Sequence, residues 1–468
     1  MAAIETAKVA AQQLGGSRAR STAALKVEAV AALHDGERLR FIPVGRSNVI
    51  EKLLTLDYWP AYDRKAIGDA LHYLGRLRQQ DSAVKLDELM EDYQLFNPDS
   101  DMTDLASLTE AERIARRNKF LEGIGRLVFR ANFEPIARAE LECVLSETSP
   151  YGVEVDVDLD EFEPLLPFYR GVRVRSRSKR DWRWGYLRTR HFHVPSYERL
   201  FLALTLKPAE QRVAEIMRKE GLTRKNAERK FRKMRRALPE WVNSEHVYLK
   251  MFKDIPQIDI DMLLPNNGVK FRQFDRLMLW FSGGGSTAYA LVATILKLVL
   301  AVAISPFVLF LALFGFGGAA FRQIMSVINT RTRYMAELVQ KLYFHNISNN
   351  QGTLTLMIDE AEEEDIKEDS LLYAFLLRKS PQNIDLEQVK GEIELFLRNE
   401  FGVDIAFDHE EALDRLAGRG LVERENGVIR VLPTEEAVRH LRQLWLEALD
   451  LRAGASTLLD TWSLGAIR

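Results

Sequence analysis

From Leu277 to Phe321 the chain runs for 45 residues with Lys297 as its only ionised side chain. A membrane-spanning helix needs about 20 consecutive apolar residues, and soluble cores rarely hold so long an uncharged stretch. The tract is too long for one crossing, so it reads as a two-helix transmembrane hairpin over 277–326. Two registers are open. In one, the first helix ends near Leu296 and Lys297 begins the far turn, where its ammonium can reach the interface. In the other, the helix starts after Gly283-Gly284-Gly285 and Lys297 lies near mid-bilayer, at a cost of roughly 3 kcal/mol; the first is preferred. Lys270, Arg272 and Arg276 precede the tract, and Arg322, Arg331 and Arg333 follow it. Positive flanks stay on the cytoplasmic side. The expectation is a protein integral to a bacterial inner membrane with both termini cytoplasmic, or to a mitochondrial inner membrane if eukaryotic.

The rest of the chain reads as folded, with 47% apolar and 28% charged residues overall. Residues 1–36 form an N-terminal arm without the apolar run of a signal peptide. Residues 37–98 read as a small helical unit, with helices near 47–54 and 63–78. A turn-rich stretch follows, then a helix over about 110–130 that opens a basic α+β domain at 110–265. Within it, Val153, Val155 and Val157 alternate with acidic residues at the period of a strand. Residues 170–194 read as a hairpin with alternating Arg, and 208–237 as one helix dense in Lys and Arg. After the apolar tract, 327–380 reads as a helical stem and an acidic helix. Residues 384–450 resemble a winged helix, with box-like caps at Asp385 and Asp408 and a hairpin turn at Asn426-Gly427; 451–468 is a tail. The fold class is α+β, predominantly helical: a multi-domain membrane protein with a two-helix transmembrane hairpin and a C-terminal winged-helix-like domain.

Charge is unevenly placed. Residues 170–236 hold 22 Lys and Arg against 6 Asp and Glu, a net of +16 in a chain whose total is −2. Such asymmetry marks a surface for a polyanion. The residues assigned to it are Arg173, Arg175, Arg177, Lys179, Arg180, Trp182, Arg183, Trp184, Arg229, Lys230, Arg232 and Lys233. Each Lys or Arg beside an anionic membrane is worth about 1 kcal/mol, and Trp favours the interfacial zone. Anionic membrane lipid is therefore the preferred partner, ahead of a solvated face paired with acidic segments of the same chain; nucleic acid is the disfavoured third. The acidic cluster at 359–365 reads as a solvated face or as that pairing segment. The winged-helix candidate carries Asp408, Glu410, Glu411 and Asp414 where phosphate contacts would need positive charge, so it reads as a packing or protein-interaction module.

No phosphate loop, dinucleotide fingerprint, zinc-protease pair or nucleophile elbow occurs. The Asp156, Asp158, Asp160 spacing lacks the glycine of a calcium loop, and His191 with His193 lacks further ligands. No catalytic residue, metal or cofactor is assigned. The most specific words are YLKMFKDIPQIDIDMLLP (Tyr248–Pro265), RFIPVGRSNVIEKLL (Arg40–Leu54) and GTLTLMIDEAEEEDIKEDSLLYAFLL (Gly352–Leu377). Together they resemble the transmembrane protein 143-like family, known as domain of unknown function 3754, in a bacterial-type version. The resemblance implies a two-helix membrane region after the FK-x-IP…LLP segment and carries no enzymatic residues. The functional expectation is a membrane-anchored adaptor or scaffold, with a protein partner not identified and homo-oligomerisation open. The alternatives are an oligomeric channel or transporter component, and a membrane-tethered enzyme or nucleic-acid binder.

Overall fold

The computed structural model describes residues 38–271, Met325 and residues 343–465, apart from 56–58, 60, 101–108, 147–152, 157, 182–187, 237, 239–241, 265–267, 381–383 and 426–427. Two helices come first, α1 (Arg46–Thr55) and α2 (Ala61–Gln94), then α3 (Glu110–Arg130). Thr109 starts α3 with a reciprocal cap: its hydroxyl accepts from the Glu112 amide while the Glu112 carboxylate accepts from the Thr109 amide. The short β1 (Glu134–Pro135) and α4 (Arg138–Ser146) lead to β2 (Val153–Asp156) and to the long strands β3 (Phe162–Asp181) and β4 (Arg188–Leu206). Two short helices, α5 (Ala209–Glu220) and α6 (Arg224–Arg235), precede β5 (Tyr248–Pro256) and β6 (Gly268–Phe271). Beyond the apolar tract come β7 (Asn346–Asn349) and α7 (Asn350–Lys379). Then follow α8 (Leu386–Phe401), α9 (Glu410–Gly418), the hairpin β8 (Val422–Glu425) and β9 (Val428–Val431), and α10 (Thr434–Gly465).

The principal sheet is antiparallel, in the order β1-β3-β4-β5-β7. Strand alternation gives it two apolar faces. Phe168, Phe201, Ala203, Leu249 and Met251 pack under α3 and the first half of α7. Tyr197, Leu200, Leu202, Leu204 and Phe252 face a second core with Ile136 and Leu141. β5 accompanies β4 only from Ser196 to Leu204. From Val174 opposite Pro195 to Asp181 opposite Arg188, β3 and β4 continue as a ribbon without a third described strand.

A third core joins the two ends of the described chain. Ile42, Val49, Leu53, Ile67, Leu71 and Leu74 pack with Leu371, Leu372, Phe375, Val389, Ile393, Phe396 and Leu441. A parallel bridge between Leu39 and Ile405 closes the same junction.

Through the middle of these cores runs α7. Its apolar residues Leu354, Met357, Ile358 and Ala361 recur at helical spacing and are buried. So are Glu364, Asp365, Lys367, Glu368 and Asp369, several of which a sequence reading leaves in solvent. A buried charge is costly unless paired and hydrogen-bonded, and each of these is. Asp365, Glu368 and Asp369 share a face at i, i+3 and i+4. Arg415 of α9 meets all three, through Nη1 at 3.3 Å, Nη2 at 2.7 Å and Nε at 2.8 Å. Arg78 of α2 reaches Asp369 at 2.7 Å, and Arg130 of α3 bonds Asp365. On another face, Glu364 accepts from the Ile42 amide while Lys367 donates to the Ile42 carbonyl, which holds the entry to α1 against α7. Of the acidic cluster at 359–365, Glu364 and Asp365 are buried and Asp359 is exposed, while the half-buried Glu360 pairs with Arg170 and Arg199 of the basic region.

The membrane expectation is corrected. Among the described residues no helix is long and apolar enough to cross a membrane. The longest described helices, α2, α7 and α10, carry ionisable residues along their lengths. The assigned two-helix hairpin over 277–326 lies outside the described residues except for Met325, as do the flanking Arg272, Arg276 and Arg322 together with Lys297. Lys270 is a strand residue, paired with Glu154 in the β2–β6 ladder. The fold is therefore stated as α+β, without an integral-membrane assignment.

The charge buried around α7 should show in unfolding. Arg415→Met leaves three carboxylates without their shared partner and should lower unfolding free energy by about 3–5 kcal/mol, read from urea midpoints. Burial pushes the Glu368 carboxyl up to about 8 against the pull of Arg415. A carboxyl raised in the folded state contributes stability that is complete below its unfolded value, 4.5, and lost as pH rises through the folded one. The urea midpoint should fall between about pH 4.5 and pH 8, and Glu368→Gln should flatten that fall.

Candidate functional site: two basic surfaces

The structure divides the expected basic region into two surfaces at opposite ends of one hairpin. The first lies where the β3–β4 ribbon leaves the sheet, around Arg173. The second is α6, reached only after β4 has run back through Leu206. Between them lies the stretch of β4 from Ser196 to Leu206, about 33 Å long at the rise of a strand.

At the ribbon, alternation along β3 places Arg173, Arg175, Arg177 and Lys179 at positions of one face and Arg180 at a position of the other. Trp182, Arg183 and Trp184 lie in the connection, outside the described residues. Arg173 is exposed and pairs with Glu198 at 2.6 Å. Beside it is a cavity of 330 Å3 lined by Phe41, Arg170, Arg173, Glu198, Arg199, Lys253 and Asp254. Arg170 is 9% exposed. Its guanidinium lies 4.9 and 5.0 Å from the centroids of the Phe41 and Phe133 rings and donates to the Ala131 carbonyl. Glu360 of α7 pairs with Arg170 at 2.9 Å and with Arg199 at 3.5 Å. Gly171 has φ +73°, and a Cβ there would stand 3.1 Å from the Phe41 ring and 3.3 Å from Glu198. A glycine lets both side chains close on the strand.

The second surface depends on a break. Residues 208–237 read as one helix, but Gly221 takes φ +64° and the chain turns through Leu222 and Thr223 before α6 begins. Glycine adopts this left-handed conformation without the steric cost a side chain brings. The pair is bolted to the end of the sheet by a fully buried carboxylate: Glu161 accepts from Arg212 at 3.1 Å and from Arg235 at 2.5 Å. Arg212 also bonds Asp158, and Lys219 and Arg138 hold Asp160, whose carboxyl is pulled down to about 2 by those two cations. Two aspartates of the apparent calcium-loop spacing are thus engaged by Arg and Lys.

What remains on α6 is sorted by helical phase. Ala227 is buried, and Phe231 and Met234 are half-buried on the same side. Lys225, Arg229, Arg232 and Lys233, with Arg236 at the C-cap, are exposed on the other, at a spacing that keeps them within one stripe. None of the five has a carboxylate partner among the described residues. Lys230, assigned to this surface from sequence, sits outside the stripe and pairs with Glu220. Arg224 is tied to Glu228 at 3.1 Å. Lys225 and Arg236 complete the stripe without having been singled out in the sequence; restarting the helical phase at Gly221 is the signal that locates them. Arg170, Arg199 and Lys253 have no such signal, because the cleft forms from segments distant in sequence.

A family model described as a protein of unknown function (DUF3754) matches residues 197–352. That span holds Tyr248–Pro265, both α5 and α6, and the whole apolar tract. No solved structure matches the chain.

Anchoring and free cations should differ in thermodynamic weight. Glu161→Ala removes the carboxylate that Arg212 and Arg235 share, leaving Arg212 with Asp158 and Glu215 and Arg235 without a carboxylate among the described residues, and should cost about 3 kcal/mol in urea unfolding. Arg229→Ala or Arg232→Ala should change stability by no more than about 0.5 kcal/mol.

Proposed function

We propose that this chain is an adaptor or scaffold that docks through the outer face of α6 on a surface of anionic phospholipid headgroups. The observation that carries the reading is the stripe of five exposed cations, Lys225, Arg229, Arg232, Lys233 and Arg236, on a helix whose inward Arg235 is consumed by anchoring. At about 1 kcal/mol for each cation beside an anionic membrane, the stripe supplies about 5 kcal/mol, a reversible and salt-sensitive contact.

A helix–turn–helix also serves nucleic-acid recognition, where the N-terminal residues of the second helix reach base edges. Here Arg224 at that end is held by Glu228. Four of the five unpaired cations lie from Arg229 onward, on the outward face of the middle and C-terminal turns. This distribution suits a broad charged plane better than a groove. Elsewhere, Glu410, Glu411 and Asp414 are exposed on α9. They would offer a protein partner a surface of contrary sign.

The finer kinship, to the transmembrane protein 143-like family in a bacterial-type version, is part of the same proposal. Its support is that Tyr248–Pro265 falls inside the matched span, whereas Arg40–Leu54 lies outside it.

Flotation of the full chain with phosphatidylserine-containing and pure phosphatidylcholine vesicles tests the docking. Binding should favour the anionic vesicles and fade as salt rises. R229E/R232E/K233E should weaken it at least about a hundredfold, since each lost cation is worth about 1 kcal/mol and about 1.4 kcal/mol is tenfold. Equal binding to both vesicles would sink the reading. So would duplex DNA or RNA capture without vesicle capture, or vesicle binding that the triple variant leaves intact.

A further inference from the structure

The cavity at the root of the ribbon has features that the anchoring of α7 does not explain. Its lining carries four cations, Arg170, Arg173, Arg199 and Lys253, against two carboxylates, Glu198 and Asp254. Arg170 is locked by two aromatic rings and the Ala131 carbonyl, yet its buried Nε has no hydrogen-bond partner. Lys253 is exposed and has no carboxylate partner among the described residues. Asp254 holds φ +53° beside it, a left-handed conformation that non-glycine residues rarely take and that clusters at ligand-binding sites. The volume, 330 Å3, falls at the lower end of the range of small-molecule pockets, about 300–1,000 Å3.

We propose that this cavity binds a phosphorylated polyol. A phosphate monoester carries a charge of about −1.5 to −2 at pH 7; with Glu360 set behind Arg170 and Arg199, the cavity keeps an excess of one cation to meet it, and Lys253 is the cation there without a carboxylate among the described residues. Arg173, Arg199 and Lys253 supply its N–H donors. Glu198 and Asp254 accept from ring hydroxyls, and Phe41 offers the apolar wall against which a carbon ring lies. The source of the phosphate is either a soluble sugar or polyol phosphate or the headgroup of a lipid; the chemistry recognised is the same. The site, at Arg199 of β4, is set off from the α6 end of that strand at Leu206 by about 23 Å at the rise of a strand and stands whether or not α6 docks on a membrane.

Isothermal titration of the full chain with myo-inositol 1-phosphate, inorganic phosphate and myo-inositol tests the proposal. The first should bind with a Kd below about 1 mM, at least about tenfold tighter than either fragment. Lys253→Ala removes an exposed side chain that has no carboxylate partner among the described residues, and should weaken binding about tenfold at an unchanged melting temperature. Glu198→Gln should weaken myo-inositol 1-phosphate while sparing inorganic phosphate, a split that a merely structural residue would not produce. Vesicles containing phosphatidylinositol phosphate, tested with the R229E/R232E/K233E protein, separate the sources. Lys253-dependent capture assigns a lipid headgroup, and binding of the soluble probe without capture assigns a free metabolite. No binding of either form, or binding that Lys253→Ala leaves unchanged, overturns the proposal.

Discussion

Five ionisable groups cannot be buried on one helix unless the rest of the protein supplies their counter-charges, and α7 sets that condition for the whole molecule. The cations for its buried carboxylates come from elements spread along the chain, Arg78 from α2, Arg130 from α3 and Arg415 from α9, and Arg170 of β3 and Arg199 of β4 meet the half-buried Glu360 on the same helix. Each of those contacts also fixes where its own element lies. Replacing such a network by apolar groups is often neutral or stabilising, but removing one member leaves an uncompensated charge. The network therefore acts chiefly on uniqueness of arrangement: an element docked in the wrong register would strand a charge in a dry core.

The same logic divides the basic region by use. Cations that look alike in sequence fall into those that anchor and those that face outward. Arg212 and Arg235 fasten α5 and α6 to Glu161, and Arg170 is clamped against aromatic rings. Lys225, Arg229 and Arg232 are left over, on the side of α6 opposite Ala227. Net charge alone locates the region and overstates the surface it offers, because part of that charge is internal mortar.

Local signals are legible where the physics is local. Thr109 with Glu112 marks the start of α3, and the alternation at Val153 and Val155 falls in β2. The alternating Arg residues fall in the paired strands β3 and β4, and Asp385 caps α8. The failures are of another kind. α2 runs on to Gln94 because its later turns pack on α10 and α3, partners that a short window of sequence does not contain. Gly221 inside a strongly helical composition could be a tolerated residue or a stop, and the anchoring of α6 by Glu161 decides it. The acidic run of α7 has the composition of a wet helix, and its burial depends on Arg78, Arg130 and Arg415. The cleft shares that character, since Phe41, Arg170 and Lys253 meet only after the sheet has formed.

The core that Leu53 and Leu71 share with Leu372, Phe396 and Leu441 also orders events in time. A ribosome delivers the first group long before the last, so α1 and the start of α2 must wait with apolar surface uncovered while hundreds of residues are made. Closing so long a loop is entropically unfavourable before any contact rewards it, which slows folding. A nascent chain of this design has reason to need a chaperone's cover until its C-terminal third emerges.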